Sequence, residues 1–402
     1  MSGGSENLSA EVAVIGGGPA GLLSAIALQA AGVDTLLIAP QPAEDRRTTA
    51  LLAGSVTALT TLAVWPACVA NAAPLKAIRI VDDTGRLIRA PEVIFTAAEI
   101  GLGSFGHNIE NRHLSAALDA RAKELKLPHV AAAAAAMACD PAGVTITFDG
   151  GTARVRLAIG ADGQRSISRT AAGIGSDRRA YPQMALVLNL AHARAHEETS
   201  TEFHAASGPF TLVPLPGRRS SLVCVLDPAR AAALAAQSDQ ELSAEIERRA
   251  HSILGAMKVE GGRGVFPLAI ETAEAFARNR VALVGEAAHV VPPIGAQGLN
   301  LGLRDAATLA ELVADARRQK RDVGSSDLLA RYDARRRADV MSRSIAVDVL
   351  NRSLLTDFIP AQGVRGLSLF LLDRIGPLRR ALMREGVTPA ASQPRLMRGE
   401  MV

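Results

Sequence analysis

Residues 284–307, VGEAAHVVPPIGAQGLNLGLRDAA, bring a carboxylate, a run of turn formers and a helix start into one stretch. The apolar run 281–284 reads as a buried strand. The chain then turns through Gly285, Pro292, Pro293, Gly295 and Gly298, and leaves as an apolar-periodic helix from about Asn300. A Gly- and Pro-rich loop between strand and helix lets backbone N–H groups approach a ligand at a positive helix end. The carboxylate of Glu286, just past the strand, is placed to accept hydrogen bonds from ligand hydroxyls. Such a place suits an extended anionic cofactor with a polyol chain. Strand–helix turns of this kind also form for packing alone, so its weight comes from two motifs upstream.

The first is Gly16-Gly17-Gly18-Pro19-Ala20-Gly21, between a short apolar strand at 11–15 and an alanine-rich helix that runs to about Ala31. Gly32-Val33-Asp34 leads into a second strand at 35–38, which completes a βαβ unit. Gly16 makes the tight turn, Gly18 lets a pyrophosphate approach, and Gly21 allows close helix–strand packing. In this context GxGxxG points to a dinucleotide. The acid that ordinarily ends the second strand and holds the adenosine ribose falls near position 39, where this chain has Ala39. Asp34 precedes the strand, and Glu44 and Asp45 lie beyond it in a polar loop.

The second is Gly160-Ala161-Asp162-Gly163-Gln164-Arg165-Ser166, after an apolar strand at 155–159 and before a helix. Asp162 is either an N-cap or a cofactor-binding carboxylate. Arg46 and Arg47 follow the second strand; they are loop residues in contact with solvent, or one of them touches the cofactor. His107 and His113 have no metal-ligand partners at useful spacing and read as structural or surface residues.

These residues need elements to hold them. An amphipathic helix is expected through Leu51, Leu52, Val56, Leu59 and Leu62 to Trp65. Residues 75–97 alternate as two strands around Asp83-Thr84-Gly85. GHNIENRHLSAAL, 106–118, is expected to open another helix, with Asn108 or Asn111 near its start. The alanines at 131–136 favour helix by propensity, yet they sit next to strand-like 144–148, and tertiary context should make them a strand. Residues 181–225 read as β, 228–257 as helical, and 265–268 as a return to the first domain. The expected division is a first dinucleotide-binding segment 1–73, a hairpin of a second domain 74–100, a second segment 101–177, a β-sheet of the second domain 178–272, a third segment 273–345 and a helical region 346–402. In that tail Leu367, Phe370, Leu371, Ile375, Leu378 and Leu382 share a helical face, with Arg374, Arg379, Arg380 and Arg384 nearby. The face either packs on the body of the protein or meets a membrane or partner.

Composition narrows the class. A chain of 402 residues builds two or three domains. The net charge of +4 comes from scattered Lys and Arg without a block of like charge, so a nucleic-acid surface is unsupported. The densest basic spots, Arg317, Arg318, Lys320, Arg321 and Arg335 to Arg337, sit near acids and read as solvated helix faces. Cys68, Cys139 and Cys224 are odd in number and far apart, against a disulfide framework or zinc site and in keeping with a reducing cytosol. Residues 1–10 lack the regions of a signal peptide. No apolar run reaches the about 18 residues of a membrane span. The expectation is a soluble, cytoplasmic protein, or one peripheral on the inner face of the cytoplasmic membrane.

The three motifs, in this order, resemble the FAD-dependent aromatic hydroxylases of the para-hydroxybenzoate-hydroxylase type. Within them the chain is most similar to the ubiquinone-biosynthesis hydroxylases. ENRHLSAAL at 110–118, YPQMALVLNL at 181–190, GPFTLVPLPG at 208–217 and GLSLFLLDRIGPLRRALMREG at 366–386 carry the resemblance to that branch. It implies an α/β fold: a three-segment, glutathione-reductase-like Rossmann domain with an inserted β-sheet substrate domain and a helical C-terminal tail. It also implies FAD reduced by NADPH or NADH, and a flavin C4a-hydroperoxide formed with O2 that hydroxylates a polyprenylated phenol. The chemistry is the cofactor's; the protein supplies placement and electrostatics.

On that resemblance Gly16, Gly18, Pro19, Ala20 and Gly21 cradle the pyrophosphate, and Gly285 and Glu286 hold the ribityl chain. Pro293, Gly295, Gln297, Gly298, Leu299 and Asn300 pass beside the flavin ring. Asp162 and Gly163 sit behind the cofactor, and Arg47 and Arg112 touch flavin or phosphate. The family's GD motif has Asp where this chain has Glu286, which reaches one methylene further. With Ala39, two of three usual carboxylates are altered, and no general base is nominated. The competing expectation is an FAD-poor accessory paralogue that binds lipid or partner proteins. A third is another flavoenzyme, a reductase or a halogenase; with Trp65 as the only tryptophan there is no WxWxIP segment, which weighs against halogenation.

Overall fold

The computed structural model describes residues 6–41, 45–85, 91–293, 295–355, 375–387 and 393–402. Its first sheet follows from continuous apolar strands. Val12, Ala13 and Val14 are sealed from solvent, as expected of a parallel strand covered on both faces. Glu6–Ile15 lies between Thr35–Ile38 and Gly151–Gly160, all parallel. Val281–Leu283 continues the parallel order beyond Gly151–Gly160, and His129–Val130 beyond Thr35–Ile38. Three distant parts of the chain therefore deliver the C-terminal ends of 6–15, 151–160 and 281–283 to one edge. In open α/β sheets that edge is where ligands bind. Helix Pro19–Ala30 packs on helices Asn111–Glu124 and Gln297–Arg318 over this sheet.

The second sheet runs in the order His289–Val290, Met257–Ala273, Ser176–His192, Arg219–Leu226, Gly208–Leu215, Thr199–Ala205, Ala77–Asp82, Val93–Thr96. Alternation gives it two faces. Leu186, Leu188, Phe203, Leu212 and Cys224 point one way and are covered by Leu234, Leu242 and Ile246 of helices Pro228–Ala235 and Asp239–Arg249. Ala185, Val187, Val223 and Val225 point the other way, with Leu268; Ala185 is paired with Phe266 across the ladder. On this inner face the Arg47 guanidinium, from the loop before Thr48–Leu52, stands 5.6 Å over the Phe266 ring.

Helix Gly376–Val387 closes the far edge of that face. Met383 and Val387 pack with Val93, Phe95 and Phe105. Arg379 bonds Glu99 at 2.7 Å and lies 4.5 Å over Phe95.

Several expectations change. The helix expected through Leu51 begins later: Thr48–Leu52 is a strand, Ala53–Thr61 is the helix, and Trp65 starts a separate short turn. Gly106–Glu110 is a strand as well, and the helix opens only at Asn111. The reason is non-local: Gly106–Glu110 is the middle strand between Thr48–Leu52 and Ala72–Pro74. The helix after the Gly/Pro loop begins at Gln297, three residues before Asn300. Of the alanine run, residues 134–136 become strand within Ala134–Asp140 while 131–133 do not, and Ala77–Asp82 and Val93–Thr96 pair antiparallel as expected of the strands at 75–97. Of the expected tail face, Leu367, Phe370, Leu371 and Arg374 lie outside the described residues. Ile375, Leu378 and Leu382 are exposed, whereas Arg379 is buried.

Candidate functional site

Gly16 follows directly on the buried strand, and its φ of +113° is available to glycine and strained for other residues. A Cβ there would meet the Ala161 carbonyl oxygen at 2.2 Å, and one on Gly21 would meet the Gly16 oxygen at 2.1 Å. These two glycines serve the packing of strand, turn and helix. Gly18 differs: it caps helix Pro19–Ala30 with no side-chain hydrogen bond, and a Cβ on it would meet nothing within 4 Å. The helix thus presents unsatisfied N–H groups to open space, which is how a helix end receives a phosphate. Pro19 at the first turn gives up no donor, since its nitrogen has none.

The second uncapped helix end lies across the same edge. Ala296, with φ of +55°, precedes Gln297–Arg318 and supplies no side-chain cap. Gly302 holds the two helices together: a Cβ there would lie 3.0 Å from Gly285 Cα and 3.4 Å from Ala20 Cβ. Gly285 is buried while Glu286, Pro293, Gly295 and Gly298 are exposed and Leu299 is half-buried. The Glu286 carboxylate meets Gln164 Nε2 at 3.4 Å.

Asp162, Gln164, Arg165, Arg169, Ser176, Arg178, Glu271 and Glu286 line one open polar cavity of about 690 Å³. The Asp162 carboxylate already accepts three hydrogen bonds: Ser166 Oγ, Ser168 N and Ser168 Oγ donate to it at 2.6, 3.0 and 3.0 Å. It fixes the turn and the short helix that follows, as an N-cap would, and Gly163 beside it takes a positive φ.

Arg47 reaches the site from the other side. It donates to Asp45 at 2.9 and 2.7 Å. Its pKa is raised above the usual arginine range, first by that hydrogen bond, against burial, with the charges of Asp45 and Glu286 adding to it. Arg112 instead pairs with Glu110 at 3.0 Å. Asn300 is buried, and its amide ties Leu52 N, Ser55 Oγ, Ala50 O and Ala296 O together. Its side chain secures the helix start to the strand at 48–52.

Ala39 is buried, and the backbone at 39 bonds His129 and Val130. No carboxylate stands there. Glu44 lies outside the described residues.

Beneath the loop lies a cluster that sequence reasoning missed. Arg336 was expected on a solvated face and is instead 1% exposed. Its Nε donates to Asp305 at 2.6 Å and its Nη1 to Asp339 at 2.6 Å. Asp305 also accepts from Gly285 N at 3.0 Å and pairs with His289 Nε2 at 2.7 Å. Burial alone would raise the Asp305 pKa; its interactions with His289 and Arg336 reverse that and hold it below the usual range. Three arginines in sequence look like a wet face because charge alone does not reveal burial. The available signal was the spacing of Arg336 to Asp339, and of Asp339 to Arg343, at three and four residues.

The glycine cradle, the two free helix ends and the exposed Glu286 fit an extended dinucleotide with a polyol chain. Comparison with known proteins agrees. The model of a family described as FAD binding domain matches residues 9–344. The chain is 36% identical to a ubiquinone hydroxylase of Rhodospirillum rubrum, UbiL, over 98% of this chain and 94% of that one. It is 30% identical to the 3-demethoxyubiquinol 3-hydroxylase of Escherichia coli, over 94% and 98%. In fold it is similar to p-nitrophenol 4-monooxygenase PnpA of Pseudomonas putida, with TM-score 0.76 at 21% identity, covering 94% of this chain and 98% of that one. It is also similar to HpxO of Klebsiella pneumoniae, solved with FAD and uric acid, with TM-score 0.76 at 19% identity, covering 96% and 97%.

Proposed function

This chain belongs to the family of FAD-dependent aromatic hydroxylases, and from that premise we propose that it hydroxylates the ring of a polyprenylated phenol in ubiquinone biosynthesis, using NADPH or NADH and O2. One observation carries the choice of substrate. The inner face of the second sheet gathers Ala185, Val187, Val223, Val225, Phe266 and Leu268 into one apolar cluster, with the Arg47 guanidinium over Phe266 at its border. An isoprenoid-bearing phenol gains from it, at about 25 cal/mol per Å² of apolar area removed from water.

Bound FAD supplies the chemistry here, reduction by the nicotinamide followed by activation of O2. The chain's own residues bind and orient. Gly18 and the N–H groups of helix Pro19–Ala30 take the pyrophosphate, and Glu286 accepts hydrogen bonds from the ribityl hydroxyls. The backbone at Gly295, Gln297, Gly298 and Leu299, at the positive end of helix Gln297–Arg318, favours negative charge on the flavin ring. Arg47, held by Asp45 over Phe266, closes the site between cofactor and substrate faces. The exposed Ile375, Leu378 and Leu382 give the chain a peripheral contact with the membrane that stores the substrate. Among the described residues no helix is long and apolar enough to cross a membrane.

The test is product analysis. FAD-loaded protein, NADPH and a 2-polyprenylphenol under heavy-isotope O2 yield a ring-hydroxylated product that carries one labelled oxygen. NADPH oxidation that makes only hydrogen peroxide, with the phenol unchanged, would count against this substrate.

A further inference from the structure

Arg343 is largely buried, and one guanidinium joins three parts of the molecule. Its Nε donates to Asp339 at 3.0 Å. Its Nη2 donates to the backbone carbonyl of Glu385 at 3.1 Å. Its Nη1 meets the side-chain oxygen of Gln297 at 3.4 Å. The Gln297 amide in turn donates to the Gly295 carbonyl at 2.9 Å. Arg343 therefore touches, through one intermediary, the loop assigned to the flavin ring. With the same planar fork it holds the last turn of helix Gly376–Val387, whose Met383 and Val387 cover the edge of the substrate sheet.

The anchor behind it is stiff. Asp339 also takes Arg304 at 2.8 Å and Arg336 at 2.6 Å. Arg336 leads on to Asp305, and Asp305 to the Gly285 N–H. One buried network thus grips both ends of the 285–297 loop, at Gly285 directly and at Gln297 through Arg343. Shared charged contacts transmit displacement, because a guanidinium cannot follow one carboxylate without leaving another group.

We propose that Arg343 is a positioning residue that couples the seating of the C-terminal helix over the substrate face to the conformation of the Gly295–Gln297 loop. Filling the substrate face then alters how the loop holds the flavin, and cofactor binding in turn alters how the helix seats. Such coupling is reciprocal by linkage. The proposal rests on the FAD reading above, and the two can fail separately.

The experiment uses full-length protein, FAD, and 2-geranylphenol as the probe. FAD affinity is titrated by flavin fluorescence with and without the probe, and the probe-induced change in the bound flavin's visible spectrum is recorded. In the wild type the probe shifts the spectrum and changes the FAD dissociation constant by about tenfold. Arg343→Met loses both responses while still binding FAD, and Arg343→Lys, which keeps the charge but not the fork, recovers them only in part. Gln297→Met, which leaves the Arg343–Asp339 pair in place, gives the same loss and stands in should Arg343→Met fail to fold. An Arg343→Met or Gln297→Met protein with wild-type responses overturns the coupling and leaves the FAD reading intact, as does a wild-type flavin that the probe does not perturb. Wild type that takes up no FAD overturns both.

Discussion

Arg336 donates from Nε to Asp305 Oδ1 at 2.6 Å, and neither side chain meets solvent. The pair sits directly under Gly285, whose N–H the same carboxylate accepts. A buried ion pair of this kind is weak evidence for stability, but breaking it takes from the fully buried Asp305 carboxylate its guanidinium partner and leaves only His289 and the Gly285 N–H. Arg336→Met should therefore lower the unfolding free energy by about 3–5 kcal/mol, read from the denaturant midpoint at unchanged slope. A change within about 0.5 kcal/mol, the range of surface substitutions, would mean the pair is not buried as described.

The glycines of the cradle divide into two kinds. Gly21→Ala places a methyl 2.1 Å from the Gly16 carbonyl oxygen, so it should destabilise the fold with or without cofactor. Gly18→Ala places its methyl in open space, so apo stability should stay within about 1 kcal/mol of wild type, given the small propensity terms at a helix end. FAD affinity should fall by about tenfold or more, because on the proposed reading the pyrophosphate approaches through that space. Paired thermal melts and FAD titrations separate the two kinds. Equal effects of both substitutions on apo stability would refute the division.

Glu286 is exposed and its recorded hydrogen bond is the long one with Gln164. Glu286→Gln should leave stability within about 0.5 kcal/mol and weaken FAD binding, since a neutral amide accepts hydroxyl hydrogen bonds less strongly than a carboxylate. Equilibrium dialysis of FAD against both proteins checks this, and unchanged affinity would remove Glu286 from the ribityl site.

The C-terminal helix is fastened by Arg379 to Glu99, and that hydrogen bond lowers the Glu99 pKa from 4.5 to about 2, against desolvation. The sign follows from linkage. A carboxyl depressed in the folded state contributes stability above its unfolded pKa and loses it as pH falls through the folded one. The helix should stay seated at neutral pH and loosen between about pH 4.5 and pH 2. Limited proteolysis after Gly376 across that window should show rising cleavage in wild type. Glu99→Gln should be cleaved more readily than wild type at neutral pH and show little of the window's pH dependence.

Much of this was legible in the sequence because short-range geometry dictated it. Gly16 and Gly21 could be placed from spacing alone, since the turn and the helix contact admit no Cβ. The strand at 106–110 could not be read that way, because its partners at 48–52 and 72–74 are remote in sequence. Asn300 was read as a cofactor neighbour from its motif; that its amide is fully engaged with Ala50, Leu52, Ser55 and Ala296 depends on a strand 248 residues away. Arg336 looked like a solvated charge because Asp305, the acid it meets across the core, sits on the helix Gln297–Arg318, which packs against its own helix only in the folded chain.

The measurement that bears most directly on the whole account is a visible absorption spectrum of the purified protein, repeated after FAD is added in excess and removed by gel filtration. The account predicts flavin bands that correspond to one FAD per chain, with Ala39 and Glu286 tolerated. Protein that elutes colourless after exposure to excess FAD would contradict it, and would favour an accessory protein that keeps the fold without the cofactor.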